Sequence, residues 1–310
     1  RMILDTNSRI SLSNNDSGTD NTILGFATAG SIVAGADGNV FIGDYCAGYG
    51  TITNGADNNV GIGKGSLGTL TSGASNVAVG KDSLNQITSG GDNVAIGAYA
   101  GDAMTDNSSN TVVGYYAFTT ANTGENNNVV IGASAGSSID NASADDNVII
   151  GTSAGSGGSG DLSKSVIIGA SAGNSTGSSN NEGMVAIGNE ALTALTSGAG
   201  NVAVGYQAGL ALTTGSNNTA IGYQSGNDLI GGTDNTLVGY LAGDKLAASE
   251  LRNIAIGSNA LSELNEGGSG HADDNIAIGY DALKGASLHN NATTVSSNIA
   301  IGSYALDATD

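Results

Sequence analysis

Residues 201–222 read Asn-Val-Ala-Val-Gly-Tyr-Gln-Ala-Gly-Leu-Ala-Leu-Thr-Thr-Gly-Ser-Asn-Asn-Thr-Ala-Ile-Gly, so the same short phrase opens and closes this stretch. The phrase Asn-Val-Ala-Ile-Gly, or a close variant, occurs 16 times in the 310 residues. Its closing glycines, called the repeat glycines below, are most closely spaced at Gly80, Gly97 and Gly114 and most widely spaced at Gly279 and Gly302. A repeat of this period predicts a solenoid of about 16 turns, or rungs, with a minimal rung of 17 residues.

Two positions of the phrase are aliphatic or β-branched in every copy. The residue directly before the repeat glycine is Leu, Val or Ile, and the residue two places earlier is Val, Ile or Thr. Side chains two residues apart in a strand point to the same face, and β-branched residues favour strands. The pattern predicts an all-β parallel solenoid, with strands at 21–25, 39–43 and each later copy and with these two columns facing inward.

The middle position between those columns is apolar in all 16 copies, and half of these residues are Ala. If the flanking columns face inward, this middle column forms an uncharged outer stripe, which an acidic soluble chain would not leave exposed. Identical chains are the simplest cover. We therefore predict a homotrimer whose axis is lined by Ala78, Ala95, Val112, Val130, Ile149, Ile167, Ala186, Ala203, Ala220, Ala255, Ala277 and Ala300.

Asn stands four residues before the repeat glycine in 14 copies, and Ser165 and Met184 are the exceptions. A short amide can bond the backbone of a turn and the equivalent amides of neighbouring rungs. Ligand binding by this column is the alternative. We predict a structural ladder that includes Asn76, Asn93, Asn110, Asn128, Asn201, Asn218, Asn235 and Asn253.

The residues that follow the repeat glycine leave two questions open. Small or apolar residues at offsets of three, four and seven suit either a second strand or a helical turn. Tyrosines one or two residues after the glycine are either rim residues packed along the rod or a contact surface for a cell-surface receptor or glycan. These tyrosines are Tyr45, Tyr99, Tyr115, Tyr116, Tyr206, Tyr223, Tyr240, Tyr280 and Tyr304.

Composition excludes several classes of protein. The 51 glycines occur without any proline, which argues against collagen. A net charge of −20 with eight basic residues disfavours a nucleic-acid partner, and no stretch is apolar enough to span a membrane. Cys46 occupies a small-residue column, and His271 and His289 lie in insertions. We therefore predict that the chain is not an enzyme and has no catalytic residues, cofactor or metal site.

The domain organisation follows from the repeat. Residues 1–20 form a lead-in segment or a first irregular rung, and residues 21–310 form the solenoid. The two longest spacings predict outward loops at 264–274 and 285–297, because a minimal rung has no room for extra backbone. Since the sequence opens with Arg1, we expect a segment of a longer or processed chain.

The Asn-Val-Ala-Ile-Gly copies resemble two sets of proteins. The head domains of trimeric autotransporter adhesins carry a similar repeat, which implies a left-handed parallel β-roll assembled as a homotrimer. The longer unit Asn201–Gly215 and the opening Arg1–Ile10 look like repeats and lead-in segments of phage tail fibres.

The resemblance implies a structural, adhesive fibre shaft that mediates host or surface attachment, on a virion or at the extracellular surface. A monomeric ice-binding solenoid is the alternative function. It would need a flat, regular Thr face, whereas Thr falls mostly at turns here.

Overall fold

The computed structural model describes residues 3–4, 10–11, 18, 20–157, 162–175, 181–246, 249–263, 272–285 and 295–307. The chain divides into two units, residues 1–145 and residues 146–310. Each unit is a parallel β-solenoid, and the described ranges contain strands and turns but no helix. The all-β solenoid predicted from the repeat is therefore confirmed.

The first unit contains 11 short strands. Seven of them form the parallel sheet of the solenoid, β4 and β6 form a separate parallel pair, and β1 and β2 pair antiparallel. The strands are β1 (Ile3–Leu4), β2 (Ile10–Ser11), β3 (Thr22–Leu24), β4 (Ser31–Ile32), β5 (Val40–Ile42), β6 (Thr51–Ile52), β7 (Val60–Ile62), β8 (Val77–Val79), β9 (Val94–Ile96), β10 (Thr111–Val113) and β11 (Val129–Ile131).

The second unit contributes nine parallel strands, one from each repeat phrase. They are β12 (Val148–Ile150), β13 (Val166–Ile168), β14 (Val185–Ile187), β15 (Val202–Val204), β16 (Thr219–Ile221), β17 (Thr236–Val238), β18 (Ile254–Ile256), β19 (Ile276–Ile278) and β20 (Ile299–Ile301).

Equivalent residues of successive strands pair without a slip in register. Ala203 in β15 is aligned with Ala220 in β16, and Ala255 is aligned with Ala277 although the segment between them is longer than a minimal rung. Every strand of the solenoid sheet is three residues long. Differences in rung length are therefore accommodated between a repeat glycine and the next strand.

The repeat glycine is required by both conformation and space. Gly205 has a φ of +139°, and a Cβ at this position would lie 2.3 Å from the carbonyl oxygen of Gly222 in the next rung. L-residues with side chains rarely adopt this φ, and the contact is far inside van der Waals distance. The same two constraints recur along both units, which explains why the phrase always closes with Gly.

The predicted assignment of strand faces is wrong. The middle residue of the strand is the buried one: Ala78 is 0% exposed, whereas Val77 and Val79 are half-exposed. A coil as short as the minimal rung is too narrow to enclose two aliphatic columns together with the small and apolar residues that follow the repeat glycine. Small middle residues fill this narrow interior, and the β-branched flanking residues point outward.

Volume compensation inside the second unit explains the larger middle residues. Ile149 and Ile167 are followed by Gly155 and Gly173, and a Cβ on Gly155 would lie 3.3 Å from each isoleucine. Where the middle residue is Ala186, the equivalent later position carries the buried Leu192. Close packing of an interior requires this kind of exchange. The isoleucines therefore fill the chain's own core and do not widen an axis between chains.

The second limb of each rung, which is the segment between the repeat glycine and the next ladder Asn, is built from turns. Positive φ values recur two and four residues after the repeat glycine, as at Asp82 (51°) and Leu84 (46°), and again directly before the ladder Asn, as at Ser75 (60°). Such left-handed residues reverse the chain without a helix. In the described ranges the additional β pairing in this limb consists of the β4–β6 pair and an isolated parallel bridge between Thr233 and Leu251.

Candidate interaction surface

The first and last residues of the solenoid strands line up from rung to rung within each unit. We call the surface that they form the outer face. All of these residues are Val, Ile, Leu or Thr, and none is charged. Many are substantially exposed: Ile62 is 39% exposed, Ile96 43%, Ile221 38% and Ile256 39%. The outer face is therefore an apolar surface on a chain with a net charge of −20.

A parallel sheet with one uncovered apolar face is unusual, because parallel sheets are normally covered on both faces. The nine strands of the second unit, at ~4.8 Å spacing and about 10 Å length, present roughly 400 Å². Apolar patches of about 300–600 Å² on soluble proteins often mark interaction sites. The outer face is therefore the main candidate interaction surface of each unit.

Tyrosines border the outer face at the corner that follows the repeat glycine. In the second unit, Tyr206, Tyr223 and Tyr240 stack in sequence, with ring centroids 5.2 Å and 5.4 Å apart. Each ring is about half exposed. Because stacked rings cover each other's faces, they present mainly edges and hydroxyl groups to solvent. This favours packing along the solenoid, and the role of the corner as a receptor or glycan contact stays a prediction.

A glutamine ladder runs beside these tyrosines. The Gln207 side-chain amide donates to Glu190 at 2.6 Å, and the Gln224 amide donates to Gln207 at 2.7 Å. In the first unit, Tyr99 and Tyr116 stack at 4.8 Å. In both units, therefore, side chains that follow the repeat glycine contact their equivalents in the neighbouring rung.

The residues predicted to line a trimer axis lie inside the single chain and not on its surface. Their side chains are at most 4% exposed, so they cannot contact another copy unless the solenoid opens. This corrects the predicted axis through Ala78, Ala95, Val112, Val130, Ile149, Ile167, Ala186, Ala203, Ala220, Ala255, Ala277 and Ala300.

The structure places the predicted Asn ladder in the interior of both units. The Asn93 side-chain amide donates to Asn76 Oδ1 at 3.0 Å and to the Asn107 carbonyl at 2.7 Å, while the Asn93 backbone N–H donates to Asn76 Oδ1 at 3.1 Å. The pattern recurs at Asn110 and Asn128 in the first unit. It recurs at Asn218, Asn235 and Asn253 in the second unit. Every polar atom of these side chains is used, so the column is structural.

Ser165 and Met184 interrupt the ladder in the second unit. Ser165 Oγ accepts the Met184 backbone N–H at 3.1 Å, which replaces one amide contact. Met184 has no side-chain oxygen to offer Asn201. The Asn201 amide keeps the usual bond to the next rung, to the Gly215 carbonyl at 2.8 Å, and donates to the Gly198 carbonyl at 2.9 Å.

A second side-chain ladder was missed by sequence reasoning. Two residues before the ladder Asn, an oxygen-bearing side chain often accepts a backbone N–H from the previous rung. Asp145 accepts from Asn126 at 2.6 Å, and Asp273 accepts from Leu251 at 2.8 Å. The column mixes Asp, Asn, Ser and Thr, so no single residue type reveals it, and the shared signal is a short side-chain oxygen at one offset.

Other chemistry-bearing residues are engaged in structure. Cys46 is buried, and its thiol lies 3.1 Å from Ser66 Oγ; burial raises the pKa of this thiol, against the opposing effect of the Ser66 hydrogen bond. Asp274 pairs with Arg252 at 2.6 Å. Within the described residues, no group of three or more His, Cys, Asp or Glu side chains converges as metal ligands would.

The predicted insertion loops fall largely outside the described residues, which resume at 272 and 295. His271 and His289 also lie outside them. No helix in the described part of the chain is long and apolar enough to cross a bilayer.

Comparison of the chain with protein-family models, curated proteins and solved structures gave no match.

Proposed function

We propose that this chain is a structural, adhesive fibre shaft, part of a virion tail fibre or a surface adhesin, that mediates attachment to a host or a surface. One observation carries the proposal. The uncharged outer face recurs in every solenoid strand of both units, although the rungs differ in length.

This division of the rung suits a shaft. The strand side keeps three residues in every copy, whereas all length variation falls in the segment between the repeat glycine and the next Asn. Because the strand side is the same in every rung, a partner with the same rung spacing can cover it along its whole length. The variable side can carry loops that contact other molecules, because solenoids tolerate insertions there.

We propose that copies of this chain cover the outer face. A second copy has the same rung spacing, so contacts made at one rung can be repeated at the next. The uncharged face also allows association between chains that each carry a net charge of −20, since the acidic residues lie elsewhere on the coil. The homotrimer implied by the family resemblance remains a proposal, now with the outward columns at its axis.

Charges on the outer face are expected to separate the copies. In Ile221→Asp/Ile256→Asp, two residues that are 38% and 39% exposed would place carboxylates in the contact. The variant should fold, as judged by circular dichroism, but light scattering should report a monomer where the wild-type chain is an oligomer. Desolvating unpaired charges in an interface opposes association strongly.

The matched control is Thr214→Asp/Ser249→Asp, which adds the same charge at exposed sites off the outer face. It should keep the wild-type mass. A monomeric wild-type chain, or equal dissociation of both variants, would contradict association through this face. A monomer with thermal hysteresis that Ile221→Asp abolishes would support the ice-binding alternative.

Removal of one whole rung tests the shaft directly. Deleting residues 206–222 joins Gly205 to Tyr223. The sequence Gly-Tyr-Gln is kept at the junction, so the remaining strands stay aligned. The variant should keep its fold and, in electron micrographs, form particles shorter by about 5 Å. Deleting only 206–214 breaks the register and should unfold the neighbouring rungs.

Particles that are not elongated, or unfolding on deletion of the whole rung, would argue against a shaft. Immunogold labelling of the virions or cells that carry the chain should decorate surface appendages.

A further inference from the structure

Two glutamates occupy the same buried position in the two units. Glu125 and Glu250 lie three residues before a ladder Asn, and they are 0% and 2% exposed. Their backbone carbonyls accept the amides of Asn110 at 2.9 Å and Asn235 at 2.8 Å. One carboxyl oxygen of each glutamate is buried without a hydrogen-bond partner. Most other rungs place Gly or Ala at this position.

Two aspartates share a second position, five residues after the repeat glycine. Asp102 belongs to the first unit and Asp244 to the second, and Oδ1 of each is buried without a partner. A buried polar atom that loses its water and gains no hydrogen-bond partner destabilises the folded state, and more so when it is charged. Asp102, Glu125 and Asp244 therefore each hold a carboxyl oxygen at a place where burial disfavours the charged form.

The charged neighbours do not neutralise these groups in the first unit. Burial is the main factor that raises the pKa of Glu125. The backbone N–H groups of Glu125 and Asn141 and the Asn107 amide, which donates to Oε2 at 2.6 Å, oppose this rise, and the nearby Asp140 adds to it. Burial also raises the pKa of Asp102; the backbone N–H groups of Asp102 and Ala103 oppose this rise, and the like-charged Asp82 adds to it.

In the second unit, burial again raises the pKa of Asp244. Lys245 opposes this rise, and Asp228 and Glu263 add to it. The Lys245 ammonium lies 3.8 Å from the Asp244 carboxylate but only 2.8 Å from Asp228. Because Lys245 pairs more closely with Asp228, it compensates the burial of Asp244 only in part.

We propose that Asp102, Glu125 and Asp244 form a proton-responsive element that tightens the rungs within residues 98–128 and 240–253 as the pH falls. Protonation removes a buried charge that has one unpartnered carboxyl oxygen in the folded state. It does little for the unfolded chain, where the same groups are hydrated.

The direction of the effect follows from linkage. The folded form of these rungs takes up protons at a higher pH than the unfolded form does. The free energy of unfolding therefore rises as the pH falls through the folded-state pKa, and it levels off near the ordinary carboxyl pKa. As the pH rises above neutral, these rungs should open more often than their neighbours.

Hydrogen exchange on the full chain tests this element, measured by mass spectrometry at pH 5, 6.5 and 8 and corrected for chemical exchange. Opening of 98–128 and 240–253 should be about tenfold more frequent at pH 8 than at pH 5. Residues 202–222 contain no acidic residue and serve as an internal control. Their protection should change little.

Glu125→Gln and Asp102→Asn should each reduce the pH dependence of 98–128 while leaving that of 240–253 intact. Asp92→Asn removes an exposed carboxylate and should leave both segments unchanged. Equal pH dependence in 202–222, no pH dependence in 98–128, or a wild-type profile in both Glu125→Gln and Asp102→Asn would overturn the proposal. If Glu125→Gln does not fold, the wild-type comparison and Asp102→Asn decide the outcome.

Discussion

Ala203→Asp is expected to unfold the rungs around β15, whereas Val204→Asp is expected to leave the fold in place. Ala203 is 0% exposed and lies between Ala186 and Ala220 in the aligned strands. An unpaired carboxylate there would cost on the order of 3–5 kcal/mol, because no cation or water can reach it. Val204, one residue later, is half-exposed on the outer face. Thermal unfolding followed by circular dichroism should show a large loss of stability only for Ala203→Asp.

Val204→Asp is the matched control for this prediction, since it adds the same charge to the same strand. It should lower the mass in solution without lowering the unfolding temperature by a comparable amount. If Ala203→Asp kept the wild-type stability and only dissociated the oligomer, the original assignment of the middle column to an axis between chains would be restored.

Asn218→Leu is expected to be the most damaging change of similar volume in the second unit. Asn218 Oδ1 accepts the backbone N–H and side-chain amide of Asn235 at 3.1 Å and 3.0 Å, and the Asn218 amide donates to Asn201 at 3.1 Å and to Gly232 at 2.7 Å. Leu would leave the buried partners on both sides unsatisfied, at a cost of about 3–5 kcal/mol. Denaturant unfolding would measure the loss.

Asn189→Leu is the comparison for Asn218→Leu, because Asn189 is exposed and makes one long hydrogen bond to the Ala170 carbonyl at 3.2 Å. This change should cost less than about 1 kcal/mol. Equal effects of the two substitutions would mean that the ladder adds little to stability.

The positions of the strands and of the Asn column could be predicted because a repeat brings equivalent residues together. Each Asn stands at the same offset, so a parallel solenoid aligns Asn93 with Asn76 without further information. The three-residue strands fall inside the predicted ranges, as at Thr22–Leu24 and Val40–Ile42.

The direction of the strand faces could not be predicted from alternation alone. A period of two assigns residues to two faces of a strand but does not say which face is enclosed. β-Branched residues are compatible with either face. A partial signal was present in the pairing of sizes. Ile149 and Ile167 precede Gly155 and Gly173, and Ala186 precedes Leu192, although Ala203 precedes Gly209. Such exchange between two columns identifies residues that share one interior.

The buried carboxyl groups were also beyond sequence reasoning. Glu125 and Glu250 lie in segments of variable length, where acidic residues are usually solvated. Their burial follows from the turn geometry before the ladder Asn, which only the structure shows.

The interruption at Met184 has a consequence for the kinetics of folding. In a solenoid each rung contacts only its neighbours, so folding can begin at several points and spread one rung at a time. When folding spreads across residues 184–201, it does so without the side-chain amide bonds that couple other rungs of the second unit. We expect growth of the folded segment to pause there and partial unfolding to stop there. The rungs before and after Met184 would then fold as two stretches that are weakly coupled to each other. Single-molecule force spectroscopy should record a pause in unfolding at this rung.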